Sequence, residues 1–281
     1  MQQRLDRLRQ EQMEGASYRR IEGDWTQGLI ILCDHAENRI PRPYGTLGLR
    51  SEDLNRHIAY DIGAAGVAER LAQVLGVPAL LTRFSRLLID PNRGLDDPTL
   101  VMQISDGRIV PGNAGVDQTE IEERICRYYA PYHHAIDVAI DTAGAAGKPP
   151  VLLAVHSFTQ AWKSVPRPWH VAVLWDKDLR LASPLLHGLR AFSDITVGEN
   201  VPYSGQLRGD TLYRHGTARG LAHALVELRQ DLILGPEGQA KWAEHLAEVL
   251  HGVFAAADLA PRLHAIERHG SHTDAPCQGS G

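Results

Sequence analysis

The stretch "LIILCDHAENRIP", residues 29–41, combines the two signals that decide the fold of this chain. Its first five residues are all apolar, and Asp34, His35 and Glu37 follow almost at once. Continuous apolarity, without alternation, is typical of a strand in a parallel sheet that is covered on both faces. In such sheets, ligands bind beyond the carboxyl ends of the strands. The stretch therefore predicts a buried strand that delivers polar side chains to a ligand site.

Similar apolar runs recur along the chain and alternate with amphipathic segments. We predict strands over residues 28–33, 77–82, 86–90, 149–156, 169–175 and 222–228. We predict helices over residues 53–75, 118–147, 178–193 and 237–257, the second with Thr119 as a possible N-cap. Strands that alternate with helices indicate an α/β sheet with helices on both faces.

The composition predicts one domain and excludes several classes of partner. No composition shift marks a linker, so we predict a single domain over residues 1–268, with 1–24 as an N-terminal extension and 269–281 as a flexible tail. The modest net charge of -5 argues against nucleic acid as the partner, and no apolar run of membrane-spanning length occurs. The charged N-terminus is unlike a signal peptide, and three cysteines without CxxC spacing favour a reduced, cytoplasmic protein. The oligomeric state stays open.

Several predicted strands end in side chains that can carry out chemistry. His35 follows the first strand, and His156 is the last residue of the run 149–156. The other candidates at strand ends are Asp90, Asn92, Arg93 and Glu227. Two histidines and a carboxylate are the protein ligands of many catalytic zinc sites, in which the fourth coordination position is left open for water or substrate. We therefore expect a small-molecule hydrolase with one divalent metal, and Zn²⁺ is the metal that such ligands suit.

Glu227 and Arg93 have predicted roles beside the metal. Glu227 lies inside the apolar run "HALVEL", and a carboxylate is rarely buried without a partner or a function. It fits a general base, while an arginine can form a fork of hydrogen bonds to a substrate carboxylate. In the competing structural interpretation, Arg93 pairs with Asp90 or Asp96, and Glu227 pairs with Arg229 or Arg86.

Other histidines are weaker candidates. His133 and His134 are adjacent in a predicted helix, so we interpret them as helix-face residues without a catalytic role. His215 and Tyr203 lie in the loop 199–220 and are candidates for a lid or for substrate contacts.

Four motifs, taken together, resemble the N-formylglutamate amidohydrolase family over about residues 27–235. They are "CDHAENRIP", "RLLIDPNR", "HSFT" and "ELRQDLI", in that order. The resemblance implies a three-layer α/β/α sandwich of the phosphorylase/hydrolase type, similar to the zinc carboxypeptidases, with a mostly parallel mixed sheet. It also implies hydrolysis of N-formyl-L-glutamate to formate and glutamate, a late step of histidine breakdown.

The resemblance also implies roles for individual residues. His35 and His156 would bind the metal, Asn92 and Arg93 would hold the substrate carboxylate, and Glu227 would be the base. The carboxylate ligand stays open, because Glu37 is one residue nearer to His35 than the glutamate ligand of the carboxypeptidases is to its histidine. Glu37 is the first candidate, followed by Asp34 and Asp61. Arg86 or His215 would stabilise the oxyanion, and Tyr203 would contact the substrate.

Two other functions compete with amide hydrolysis. The triplet "DHA" after a strand also resembles the opening of phosphoesterases that hold two metals, but those need aspartates at further strand ends. Members of the family usually show a proline-histidine-serine-glycine version of the opening motif, and the different form "DHAEN" would also suit an inactive homologue that only binds an amino acid. Metal stoichiometry and turnover distinguish the three functions.

Overall fold

The structure is a computed structural model, and it describes residues 17–274. Its strands, in chain order, are β1 Tyr18–Ile21, β2 Leu29–Cys33, β3 Ala79–Thr82, β4 Ile104–Ser105, β5 Arg108–Ile109, β6 Val151–Phe158, β7 Ala161–Trp162, β8 Val165–Pro166, β9 Val171–Leu174, β10 Val197–Glu199 and β11 His223–Arg229. The pairs β4–β5 and β7–β8 are separate two-stranded hairpins, and the other strands form one sheet.

The helices connect and cover these strands. They are α1 Ser51–Leu54, α2 Ala64–Leu75, α3 Gln118–Arg124, α4 Ala130–Ala145, α5 Ala182–Arg190, α6 Thr211–His215, α7 Pro236–Ala255 and α8 Ala260–Leu263. A π-helical segment, Ile125–Tyr129, joins α3 to α4. Short 3₁₀ turns occupy Trp25–Gln27, Arg42–Tyr44, Pro111–Asn113, Thr217–Arg219 and Gln230–Leu232.

The main sheet has seven strands in the order β1-β3-β2-β6-β11-β9-β10. The four central strands β3, β2, β6 and β11 are parallel, so their carboxyl ends meet at one edge. β1 pairs antiparallel with β3, β9 pairs antiparallel with β11, and β10 is parallel to β9. The sheet is therefore mixed and mostly parallel.

Helices cover both faces of the sheet. Leu71 of α2 packs with alternate sheet residues such as Ile31 on one face, where α5 and α7 also lie. Ile136 of α4 packs with Ile30 and Leu32 on the other face. Alternate side chains of a strand point to opposite faces, so a strand buried on both sides is apolar throughout. The predicted three-layer α/β/α sandwich with a mostly parallel mixed sheet is confirmed.

The predicted helix 53–75 is wrong in its middle, and this break shapes the site. α1 ends at Leu54 and α2 begins at Ala64, so Asp61 lies in a turn between them. Gly63 has φ 82°, and a Cβ there would collide with the Ile233 carbonyl oxygen. Only glycine tolerates both conditions, which ends the helical pattern N-terminal to α2.

The run 86–90 is a buried turn and not the predicted strand. Its apolar residues Leu87, Leu88 and Ile89 belong to a third apolar cluster, together with residues of the loop that follows. The Leu87 carbonyl accepts a hydrogen bond from Asn113 Nδ2 at 2.8 Å, and the Leu88 carbonyl accepts one from Arg124 Nη1 at 2.9 Å. Side chains thus satisfy the backbone groups that a neighbouring strand would otherwise satisfy. Apolarity alone does not distinguish these two solutions.

The chain differs from the predictions in further details. Asp117 caps α3 by accepting from the Glu120 amide, in the place predicted for Thr119. β1 lies within the predicted N-terminal extension, whose residues 1–16 are outside the described residues, and β10 was not predicted. Ser271, in the predicted tail, is buried, and residues 275–281 of that tail are also outside the described residues. The other two long helices are confirmed as α5 and α7. None of the helices in the described part of the chain combines the length and apolarity needed to cross a membrane.

Candidate active site

His35 and His156 meet at the carboxyl edge of the central strands. His35 lies two residues after β2, and His156 is within β6, the next strand in the sheet. Both side chains are buried, and their rings contact edge to face with centroids 4.9 Å apart. The sheet therefore brings together the two histidines that the sequence singled out.

Asp61 completes a three-residue group with these histidines. Its Oδ2 lies 3.4 Å from His35 Nδ1 and 2.9 Å from His156 Nδ1. One potential ligand atom from each residue falls within 4.8 Å of the others. Burial would raise the pKa of Asp61, but the two histidines outweigh burial and hold this pKa well below its usual range. The group therefore offers two imidazole nitrogens and a carboxylate.

The far nitrogen of each imidazole contacts a second, buried carboxylate. His35 Nε2 lies 2.7 Å from Asp90 Oδ1, and His156 Nε2 lies 3.0 Å from Asp34 Oδ2. A carboxylate accepts a hydrogen bond, so it keeps the proton on Nε2 and leaves the Nδ1 lone pair of a neutral ring for a metal. This pairing of histidine with carboxylate is typical of protein zinc sites.

Asp34 and Asp90 are themselves held in place. Tyr132 Oη and Thr211 Oγ1 donate to Asp34 Oδ1 at 2.9 and 2.8 Å. Arg86 Nη2 donates to Asp90 Oδ2 at 2.7 Å. Burial would raise the pKa of both aspartates, but His156 beside Asp34 and Arg86 beside Asp90 lower it, so both stay ionised.

Glu227 is a buried carboxylate with an unsatisfied oxygen. It is paired in register with His156 across β11 and β6, and it lines the same cavity. Its Oε2 has no hydrogen-bond partner in the described part of the protein. Burial raises the pKa of Glu227 to about 8, although the nearby His156 opposes the shift. An orphaned polar atom is costly unless a bound group satisfies it.

These observations fit a divalent metal. The ligand atoms of His35, Asp61 and His156 converge, and Asp90 and Asp34 hold the two histidines in place. Glu227 Oε2 has no hydrogen-bond partner among the described residues. Two imidazoles with one carboxylate make the donor set of many catalytic zinc sites. The residues present therefore suit Zn²⁺.

Glu37, the preferred carboxylate in the sequence analysis, lies outside this group. Its two carboxylate oxygens lie 3.5 Å from Arg83 Nε and 3.8 Å from Arg39 Nε. The side chain is 29% exposed and does not line the cavity. Glu37 is only two residues from His35, but the two side chains have different surroundings, and Asp61 lies beside the histidines.

Arg86, Asn92, Arg93 and Tyr203 line the cavity together with the histidines. Arg86 Nη1 lies 3.6 Å from Asp61 Oδ1, so Arg86 links the aspartate in the three-residue group to Asp90. The Arg93 guanidinium donates to the Asn92 carbonyl at 2.8 Å and to Thr99 Oγ1 at 3.2 Å. The structure thus brings together the predicted substrate-binding residues.

His215 is placed away from the reacting groups, contrary to its predicted catalytic role. It is fully buried and is not among the residues that line the cavity. Its Nε2 lies 2.8 Å from His133 Nδ1, and its Nδ1 lies 3.1 Å from Asp137 Oδ1. His133 Nε2 in turn donates to the Pro91 carbonyl at 3.0 Å. His215 therefore acts through His133 as a support for the loop that precedes Asn92.

His133 also corrects the sequence interpretation, because it is buried, whereas His134 is exposed as expected. Asp90 was predicted only as a candidate at a strand end and a possible partner of Arg93, and Thr211 and Tyr132 were not predicted as site residues. A signal for Asp90 existed, since an aspartate that directly follows a buried apolar run needs a partner.

One continuous cavity of about 460 Å³ is lined by His35, Asp61, His156 and Glu227, together with Arg86, Asn92, Arg93 and Tyr203. It opens between the carboxyl edge of the sheet and the residues around Tyr203, and it continues along β11 towards Leu225 and His223. Its size falls in the range of pockets that enclose small-molecule ligands, about 300–1,000 Å³.

The chain is similar to a known protein family and to proteins of known structure. Residues 27–234 match the N-formylglutamate amidohydrolase family. The gene product Atu2144 from Agrobacterium tumefaciens has a similar structure, with 32% sequence identity and a TM-score of 0.78, over 86% of this chain and 98% of that one. The N-formylglutamate amidohydrolase from Ralstonia eutropha JMP134 shares the fold, with 23% identity and a TM-score of 0.66, over 83% of this chain and 95% of that one. No curated protein matches the sequence. The resemblance seen in the sequence is confirmed: the chain belongs to the N-formylglutamate amidohydrolase family, whose members are hydrolases of amide bonds.

Proposed function

We propose that this protein is a metal-dependent amidohydrolase that cleaves N-acyl amino acids, with N-formyl-L-glutamate as the first substrate to test. The observation that carries the proposal is the convergence of His35, Asp61 and His156 beside Glu227. A zinc ion held by the three residues would supply a Lewis acid that polarises the scissile carbonyl and activates water at neutral pH.

Asp34 and Asp90 orient the two histidines. Each carboxylate accepts the Nε2 proton of its histidine, so both Nδ1 atoms face the same point. Because Asp34 and Asp90 are buried and hydrogen-bonded by further groups, the two rings have little freedom to turn. The site is therefore preorganised before the metal and the substrate bind.

Glu227 acts as the general base and then as the general acid. It takes a proton from the attacking water and returns it to the leaving nitrogen; its place in the cavity lining beside His156 supports this role. Burial raises the pKa of the Glu227 carboxyl to about 8. A cation held by His35, Asp61 and His156 would lower this pKa and so favour the carboxylate, the form that can accept the proton.

Arg86 and Arg93 supply positive charge to the cavity. Arg86 is held by Asp90 and Asp61, and its charge stabilises the oxyanion that forms on the acyl carbon. Arg93, with Asn92, binds the α-carboxylate and so orients the amide for attack. Tyr203 forms part of the cavity wall and contacts the substrate. His215 has no step in this mechanism.

The test is to measure bound metal and formate release from N-formyl-L-glutamate with and without a chelator. We expect chelation to abolish activity and added Zn²⁺ to restore it; activity that persists without metal contradicts the mechanism. Glu227→Gln should lower kcat by about 10²- to 10⁴-fold and leave metal binding intact. Glu237→Gln, on the exposed start of α7, is the matched control.

Two outcomes would favour the alternative functions. Close to two metal ions per chain together with phosphodiester hydrolysis would indicate a phosphoesterase. Tight binding of an acidic amino acid without any turnover would indicate an inactive homologue.

A further inference from the structure

The cavity extends well beyond the catalytic groups, on the side of β9 and β11. Side chains of a strand alternate between faces, so Glu227, Leu225 and His223 of β11 share one face. Since a strand rises about 3.3 Å per residue, His223 lies roughly 13 Å along the strand from Glu227. Both ends line the same cavity. We call this extension the deep lobe; its walls are Leu174, Trp175, Leu212, Thr217, His223 and Leu225.

The deep lobe is mainly apolar and carries no positive charge. Leu225 is paired in register with Leu174 across β11 and β9, and both side chains are buried. His223 at the far end is neutral, because burial lowers its pKa. Its Nδ1 lies 2.7 Å from the Leu221 carbonyl, and its Nε2 lies 3.2 Å from Thr217 Oγ1. No lysine or arginine is among the described residues of the lobe.

The charged groups near the lobe have partners of their own. Arg180 and Asp178 both act on the pKa of His223, but they are paired with each other, with Arg180 Nη2 donating to Asp178 Oδ2 at 2.6 Å. Asp176 borders the lobe, but its carboxylate is engaged by the ring and backbone nitrogens of His272. The sheet order also places the lobe away from Arg86: the chain segment after β3 is on one side of β6, and β9 is on the other. A second carboxylate, such as the side chain of glutamate, would thus find no cation in the deep lobe.

We propose that the deep lobe binds an uncharged, mainly apolar substituent of the substrate, so that this protein prefers N-acyl amino acids bulkier than N-formylglutamate. The inference rests on the proposed function. The substituent is either the acyl chain or the amino-acid side chain, since the two lie on opposite sides of the amide bond that is cleaved beside Glu227. In the reaction, water adds to the acyl carbon, the C–N bond breaks, and the nitrogen takes a proton, which yields a carboxylate and a free amino acid.

The experiment compares two substrate series on the zinc-loaded full chain. One series varies the acyl group of L-glutamate from formyl through acetyl and butyryl to hexanoyl. The other keeps the formyl group and varies the amino acid from glutamate to alanine, leucine and phenylalanine. We expect kcat/KM to rise by up to about fourfold per added methylene in the series whose variable group enters the lobe, and to exceed the value for N-formylglutamate by tenfold or more.

A variant tests whether the lobe itself causes this preference. Leu225→Phe adds bulk inside the lobe, so the ratio of kcat/KM for the best bulky substrate to that for N-formylglutamate should fall at least tenfold. Leu234→Phe makes the same change at an exposed position outside the cavity and should leave the ratio unchanged. Thermal unfolding checks that both variants are folded, and the substrate series on the unmodified chain remains decisive if Leu225→Phe is not.

The outcomes separate this inference from the proposed function. If N-formylglutamate is the best substrate of both series, the deep lobe does not select bulky groups and only the inference fails. An unchanged ratio in a folded Leu225→Phe variant also overturns it. If no N-acyl amino acid of either series is hydrolysed, the proposed function fails and the inference fails with it.

Discussion

The outer hydrogen bond between Asp34 and His156 gives the most specific prediction, tested by Asp34→Asn. Asp34 Oδ1 accepts two hydroxyl hydrogen bonds, from Tyr132 at 2.9 Å and from Thr211 at 2.8 Å. In the variant, the amide oxygen must stay at that position, so the amide NH₂ turns towards His156 Nε2. The NH₂ group donates, and Nε2 must then accept. The ring proton therefore moves to Nδ1, the nitrogen that faces Asp61.

This change of tautomer should weaken metal binding without removing a ligand. Loss of an outer partner typically costs about 10- to 100-fold in metal affinity, which is roughly 1.4–2.7 kcal/mol. Because Asp34 is buried, solvent does not replace its carboxylate, and we expect a value towards the upper end. The assay is competition for Zn²⁺ against a chromophoric chelator at pH 7.5. Asp231→Asn, a carboxylate that pairs with Arg229 near the surface, is the control.

Zinc affinity equal to that of the unmodified protein would refute this reasoning. It would mean either that Nδ1 of His156 is not a ligand or that the hydroxyl groups rearrange around the new amide. A parallel loss of affinity in Asp231→Asn would show that the effect arises from lost charge and not from the tautomer.

The remaining predictions concern the ligand set, the substrate carboxylate and the stability of the protein. Asp61→Asn should weaken zinc affinity by more than about 100-fold, whereas Glu37→Gln should change it less than twofold; equal effects in the same chelator assay would contradict the ligand set drawn from the structure. Arg93→Lys should raise KM about tenfold with little change in kcat, because lysine cannot form a fork to a carboxylate; steady-state kinetics with an unchanged KM would exclude this contact. Burial, together with His215 and Arg214, lowers the pKa of His133 to about 3, below the value of about 6.5 in the unfolded chain. The native state therefore binds fewer protons, and the free energy of unfolding should fall by about 1.6 kcal/mol as the pH drops from 6.5 to 5. Urea unfolding at both pH values should show a smaller drop in His133→Asn, and an identical drop would show that this histidine does not cause it.

The secondary structure was predictable where the pattern was long or strongly buried. β2, β6 and β11 follow from continuous apolar runs, and α5 and α7 follow from helical periodicity. Two of the failures, the run 86–90 and the helix 53–75, have a common cause. The run 86–90 is apolar because it is buried beneath a loop, and the helix 53–75 is interrupted because Gly63 packs against Ile233. In both cases a distant part of the chain decides the local backbone.

The candidate site was predictable where its residues belong to parallel strands. His35, His156 and Glu227 lie on or next to parallel strands, so the topology alone brings them to one edge. Asp61 lies in a turn that the periodicity of the sequence conceals, and it ranked behind Glu37 as a ligand. Glu37 is only two residues from His35 in the sequence, but it turns towards Arg83.

The sequence by itself determined the class of fold and the family, and it predicted three residues that the structure brings together in the candidate site. Burial and strand order are encoded in local apolar patterns, and parallel strands place their ends together whatever the loops do. Only the tertiary structure decided that Asp61 joins the two histidines and that Asp34 and Asp90 accept the Nε2 protons of those histidines. It also decided that His133 and His215 support a loop. Those contacts join residues 26 to 122 positions apart, and side-chain direction at that range depends on how the loops pack and not on any local period.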